Sequence, residues 1–256
     1  MWNSHSTAGP LSLTAQIQTY PGGGGDEIGG YVARPGGDGP RPGLVLVIHM
    51  PGFDEFYFEF AERLARHGYD VICPDLYSRF GHGLPDDVFA KVRAEGHVHD
   101  DSAVADLAAA REWLLALPTS NGKVGILGSC SGGRHALLTA SLVPGFDAVV
   151  DLWGGGVVAA PEDATPARPV APIDYTERLD APLLGLFGNE DQSPTPAQVD
   201  LHEARLKAAG KDYEFHRYDG AGHGFTYYHT PLYRQEQAMD AWEKMFAFLS
   251  EKLGAR

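Results

Sequence analysis

The chain of 256 residues sets 20 Lys and Arg against 34 Asp and Glu, a formal charge of −14 with histidine neutral. That balance excludes the basic faces that nucleic acids and anionic membranes reward. It leaves a small neutral or modestly anionic molecule as the expected ligand, and the length suits one buried core, read as a single domain over residues 1–256.

The first residues, Met-Trp-Asn-Ser-His-Ser-Thr, lack the basic start and apolar stretch of a secretory signal, and no apolar run reaches membrane-spanning length. A cytoplasmic protein with no membrane partner is expected. Of the two cysteines, Cys73 lies in the apolar run Val71-Ile72-Cys73-Pro74 and reads as an inert core residue, whereas Cys130 lies among glycines and serines. A reducing compartment would keep both unpaired.

In chain order, residues 1–14 read as a loose arm, 15–20 as an edge strand and 28–34 as its partner. The four glycines at 22–25 are not followed by Gly-Lys-Ser/Thr or by a helical pattern, so they read as a hairpin connection and not as a phosphate cradle. Residues 44–48 form a continuous apolar run of the kind buried on both faces of a parallel sheet. Phe58, Ala61, Leu64 and Ala65 then recur at helical spacing until Gly68, and residues 70–73 make the next strand. Residues 74–83 read as a loop and 85–95 as a short helix, with Val104, Leu107, Ala108, Arg111, Leu114 and Leu115 as the stripe of a longer helix. His97, His99, Asp100 and Asp101 before it read as a solvated polar loop, and no metal site is assigned to them because His-x-His points one way only on a strand.

Residues 148–153 and 183–187 are two more apolar strands, separated by a proline-rich excursion over 161–172. Thr195 and Pro196 open a helix that Gly210 closes. Residues 213–218 are a last strand, and Ala238, Trp242, Met245, Phe246, Leu249 and Leu253 line a terminal helix. This alternation implies an α/β fold with a mostly parallel central sheet, helices on both faces, and ligands bound beyond the carboxyl ends of the strands.

The stretch 124–133, Val-Gly-Ile-Leu-Gly-Ser-Cys-Ser-Gly-Gly, reads as a strand, a sharp turn and a helix start. It has the layout of the Gly-x-Ser-x-Gly nucleophile elbow, where only glycine lets strand and helix crowd around a strained residue, with cysteine in the nucleophile slot. Alone, the pattern also fits a glycine-rich turn over a buried cysteine. Two later strand ends weigh against that reading. One strand runs into Gly188-Asn189-Glu190-Asp191 and the last into Gly220-Ala221-Gly222-His223-Gly224-Phe225, which gives nucleophile, acid and base in the chain order of elbow enzymes. Cys130 is therefore taken as nucleophile, His223 as base and Asp191 as the acid, with Glu190 as its competitor. The Ser131 N–H is one expected oxyanion donor, and the other is assigned to Met50 because Pro51 has no N–H. Phe53, Phe56, Tyr57 and Phe58, close by, are expected to divide between core and an apolar pocket wall.

With these residues in place the chain resembles the dienelactone hydrolase family of α/β-hydrolases. The resemblance is carried by Gly128-Ser129-Cys130-Ser131-Gly132-Gly133, Pro74-Asp75-Leu76-Tyr77-Ser78-Arg79, Gly188-Asn189-Glu190-Asp191 and Gly222-His223-Gly224-Phe225, and it spans nearly the whole chain from Ile28 onward. It implies a Cys130, His223 and Asp191 triad, cofactor-free hydrolysis of a small-molecule lactone or ester, and a monomeric cytoplasmic enzyme. It also implies that Arg79 binds a substrate carboxylate. Dienelactone-cleaving members carry a glutamate where this chain has His49, and a second arginine where it has Tyr227, which makes Tyr227 the substrate-binding candidate at that position.

A thiol, with a pKa of about 8.5, leaves a tetrahedral intermediate more readily than an alkyl alkoxide, whereas an enolate or phenolate of about 10 competes. Enol lactones, aryl esters and thioesters are therefore expected over alkyl esters. A thioesterase for acyl carriers is the alternative enzyme, although an acidic carrier would meet a surface of like sign. The alternative from another class is a non-catalytic small-ligand-binding protein on the same fold. A dehalogenase elbow would hold a carboxylate.

Overall fold

The computed structural model describes residues 12–254. Eight strands form one sheet in the order β1 (Leu13–Pro21), β2 (Glu27–Pro35), β4 (Asp70–Pro74), β3 (Arg41–Val47), β5 (Ser120–Ser129), β6 (Ala148–Leu152), β7 (Leu183–Gly188) and β8 (Tyr213–Tyr218). β2 is antiparallel to both neighbours, and every pair from β4 onward is parallel. The helices are α1 (Glu55–Arg66), α2 (Pro85–Ala94), α3 (Asp100–Leu115), α4 (Ser131–Leu142), α5 (Pro196–Ala208) and α6 (Gln235–Leu253).

Burial explains why the inner strands read as unbroken apolar runs. Leu44, Val45, Leu46 and Val47 in β3, Val149 and Val150 in β6, and Leu183 and Leu184 in β7 are fully buried, as strands covered on both faces must be. β1, at the edge, is exposed along most of its length. The register then levels the strand ends: Val47 pairs with Gly128, Gly128 with Asp151, and Asp151 with Gly185. The loops after β3, β5, β6 and β7 consequently share one rim.

Local signals set the helix ends. The Asp54 side chain accepts the Tyr57 N–H at the start of α1, and Thr195 and Gln198 form a reciprocal capping box ahead of Pro196 at the start of α5. Helix faces departed from the expected stripes in two places. α1 buries Phe56, Tyr57, Phe60, Ala61, Leu64 and Ala65 and leaves Phe58 half-buried. α3 buries Ala103, Asp106, Leu107, Ala110 and Leu114, with Val104, Ala108, Arg111 and Leu115 on its flank, because Asp106 takes a core position to meet an arginine. Of the expected arm, Leu13 and Thr14 belong to β1, and residues 1–11 lie outside the described residues. Among the described residues no helix is long and apolar enough to cross a membrane.

The segment His97, His99, Asp100 and Asp101 is corrected more sharply. Asp100 is not solvated: it is the first residue of α3, is buried, and accepts hydrogen bonds from Arg134 of α4 at 2.6 and 2.8 Å. A charge run gives no local sign of a partner 34 residues further on. Burial opposes the charge on Asp100, but hydrogen bonds from Arg134 and His135 outweigh it and hold the carboxyl at about 2. Since an unfolded aspartate titrates at about 3.9, this pair stabilises the fold fully above that pH and is lost as pH falls toward about 2. Asp100→Ala leaves Arg134 buried without its carboxylate, and denaturant unfolding at neutral pH is expected to show a loss of about 3–5 kcal/mol. The gap from wild type should close as the titration is carried below about pH 4.

Candidate active site

The turn between β5 and α4 is held in a conformation that side chains rarely adopt. Cys130 has φ 55° and ψ −124°, a backbone strain of about 1–3 kcal/mol that persists only where the surroundings fix it. They do so by crowding: a side chain at Gly128 would strike the Gly132 backbone, and one at Gly132 would strike the carbonyls of Val47 and Ile48. The Cys130 N–H donates to the Leu152 carbonyl at 3.0 Å, which ties the elbow to β6. Cys73, by contrast, is fully buried and its thiol is pushed up by that burial, in keeping with an inert core residue.

Asp191 and His223 reach the elbow from the loops after β7 and β8. The two loops are clamped together by the Glu190 N–H on the Ala221 carbonyl and by Gly188 packed directly on the Ala221 backbone. The Asp191 side chain is 1% exposed and its Oδ2 lies 2.9 Å from His223 Nδ1, while Oδ1 accepts the Ser193 N–H at 2.8 Å. A carboxylate only accepts, so Nδ1 carries a proton and donates to Asp191, which leaves Nε2 as the ring nitrogen available to Cys130 across the cavity that both residues line. Burial works against the imidazolium, yet the influence of Asp191 and Cys130 prevails and pushes His223 up to about 10. Glu190, the competing acid, is exposed to solvent.

Cys130 and His223 open onto a cavity of about 510 Å³ that is also lined by Met50, Ser131 and Arg168. Arg168 was not anticipated. It lies in the proline-rich excursion, outside any motif, and only the fold brings it beside the elbow. It is half-buried, its Nε is enclosed without a hydrogen-bond partner, and it adjoins a second cavity of about 430 Å³.

Two expected substrate-binding residues are placed elsewhere. Arg79 spends its guanidinium on Asp106, at 2.6 and 3.0 Å, and on Asp26, at 2.9 Å for both contacts, and it does not line the cavity at Cys130. Tyr227 is buried, with its hydroxyl 2.8 Å from Ser129 Oγ and 2.8 Å from His49 Nδ1, and it too lies off that cavity. Of the nearby aromatics, Phe56 and Tyr57 are core, while Phe53 and Phe58 stack on each other and line a separate cavity of about 360 Å³. In a histidine NMR titration His223 is expected to show a midpoint near 10, lowered in Cys130→Ala and in Asp191→Asn because each removes a partner of the charged ring. A wild-type midpoint at the ordinary value of about 6.5 would contradict the placement of those partners.

The chain matches the dienelactone hydrolase family over residues 28–253. A carboxymethylenebutenolidase from Rhodococcus opacus is 28% identical over 256 residues, covering 99% of this chain and 98% of that protein. A Yersinia pestis protein provisionally named a carboxymethylenebutenolidase is 32% identical over 236 residues, or 89% and 85% of the two chains. The crystal structure of a provisionally named dienelactone hydrolase from Klebsiella pneumoniae subsp. pneumoniae superposes with a TM-score of 0.84 at 30% identity, covering 94% of this chain and 99% of that one. With that sheet, that elbow and these relatives, the chain has the α/β-hydrolase fold and belongs to the dienelactone hydrolase family, a family of hydrolases.

Proposed function

We propose that the protein cleaves an activated ester or lactone through a covalent thioester on Cys130, with His223 as base and Asp191 holding the imidazole. The observation that carries this reading is the His223 Nδ1 to Asp191 Oδ2 bond of 2.9 Å, on a ring that lines the same cavity as Cys130. In the first half-reaction the thiol proton is held on His223 Nε2, as an imidazolium raised to about 10 requires, and the sulfur attacks the carbonyl carbon as the thiolate. The carbonyl electrons move to oxygen, where the N–H groups of Ser131 and Met50 are the proposed donors. Collapse expels the leaving oxygen, which receives the proton from the imidazolium. Water, deprotonated by His223, then attacks the thioester and releases the acid and the thiol.

A sulfur nucleophile narrows the substrate, since the intermediate partitions toward its better leaving group. Arg168 narrows it further: a guanidinium beside Cys130 with its Nε unpaired favours a substrate that carries a carboxylate, the role that Arg79 cannot fill while it is bonded to two aspartates. All three proposed catalytic groups come from one chain, so we propose action as a monomer. A reducing cytoplasm suits two free cysteines.

In a panel of matched acetates the aryl ester is expected to exceed the alkyl ester in kcat/KM, and Cys130→Ala to abolish turnover of both. Equal rates for the pair, or turnover that survives in Cys130→Ala, would overturn the reading. Arg168→Met is expected to lower the ratio of kcat/KM for a carboxylated over a neutral aryl ester by about 10- to 100-fold, the worth of a hydrogen bond to a charged group.

A further inference from the structure

Behind the elbow lies a run of five polar side chains that the proposed hydrolysis does not use. Asp54 Oδ2 is 2.9 Å from His49 Nε2, and His49 Nδ1 is 2.8 Å from the Tyr227 hydroxyl. That hydroxyl is 2.8 Å from Ser129 Oγ, which is 2.6 Å from the Tyr57 hydroxyl. His49, Tyr57, Ser129 and Tyr227 are all buried. Each link fixes the proton of the next. The carboxylate accepts from His49 Nε2–H, so the Nδ1 of the neutral ring accepts from Tyr227. Tyr227 has then used its only proton and accepts from Ser129, and Ser129 in turn accepts from Tyr57. With the ring neutral, this one arrangement of protons satisfies all four bonds, and it leaves none of these buried groups unpaired.

The chain ends where the proposed chemistry needs rigidity. His49 precedes Met50 in the loop after β3, and Asp54 closes that loop by accepting the Tyr57 N–H at 3.1 Å. Ser129 immediately precedes Cys130, whose strained backbone requires fixed surroundings. The Tyr227 ring is itself held edge-on by Phe56 and Trp153, at 4.6 and 5.6 Å between ring centres. The run of bonds therefore ties the Met50 loop to the elbow beyond the ends of the paired strands β3 and β5.

We infer that His49 and Tyr227 are positioning residues: through Ser129 they lock the Met50 loop against the nucleophile elbow, so that the Met50 and Ser131 N–H groups stand aligned before substrate arrives. This rests on the Cys130 hydrolase reading, and it gives Tyr227 a place in the enzyme other than contact with substrate.

Tyr227→Phe removes one oxygen and keeps the packed ring, so steady-state hydrolysis of an aryl acetate can be compared with binding of a trifluoromethyl ketone that imitates the tetrahedral intermediate. The expected result is a kcat lower by about 10- to 100-fold with KM changed by less than about threefold, as for a small misplacement of groups that act only in the transition state. Affinity for the ketone should fall in step with kcat. Ser129→Ala combined with Tyr227→Phe should cost little beyond either alone, because both cut one chain. His49→Asn, whose amide oxygen can accept from Tyr227, should regain part of the rate lost in His49→Leu.

A kcat and a ketone affinity within about twofold of wild type in folded Tyr227→Phe, or additive losses in the double variant, would overturn the inference, even if the protein melted at a lower temperature. Should Tyr227→Phe not fold, Ser129→Ala carries the same expectation one link nearer the sulfur. Cys130→Ala is assayed alongside: turnover that survives there sinks the hydrolase reading, whereas turnover lost there and untouched by Tyr227→Phe sinks only the positioning.

Discussion

The structure around the cavity depends on a steric constraint: the backbones of β3, β5 and the first turn of α4 approach so closely at Gly128 and Gly132 that no side chain fits between them. That contact drives Cys130 to a positive φ and lifts its side chain to the rim of the sheet. A second close contact, Gly188 on the Ala221 backbone, does for the loops after β7 and β8 what the first does for the elbow. It fixes Asp191 relative to His223, and the common level of the strand ends then brings both to the cavity that Cys130 lines.

Charge is distributed to the same end. The chain carries fourteen more acidic than basic residues, yet four of its arginines are taken up by carboxylates: Arg134 by Asp100, Arg79 by Asp106 and Asp26, and Arg34 and Arg41 by Asp70. Arg168 is the guanidinium at the cavity whose Nε has no such partner. That unpaired guanidinium is the ground on which a carboxylated substrate is proposed. The polar chain from Asp54 to Tyr57 follows the opposite logic. It is closed on itself and fully bonded, which suits a frame more than a ligand site.

Much of this was legible in the sequence because it is written locally. Continuous apolar runs marked the inner strands, Thr195 with Pro196 marked a helix start, and Gly128, Gly132 and Gly133 around Cys130 marked the elbow. The meeting of Asp191 with His223 was legible for the same reason, since each lies shortly after a strand whose carboxyl end faces the ligand side. Misreadings fell where a residue's surroundings are set by distant chain. Asp100 looked solvated until Arg134 closed on it, and Asp106 displaced the apolar stripe of α3 because Arg79 waits beneath it.

The sequence by itself determined the order of strands and helices, the strained cysteine and the acidic residue and histidine that share its cavity, because short-range sterics and hydrophobic period decide those matters. Tertiary structure alone decided where the arginines and the hydroxyls go. Arg79 turned to two aspartates, Arg168 came to the cavity from a motif-free loop, and Tyr227 joined His49 and Ser129 behind the elbow. Long polar side chains take whichever partner the packed fold puts within reach, and that partner is not encoded in the residues beside them.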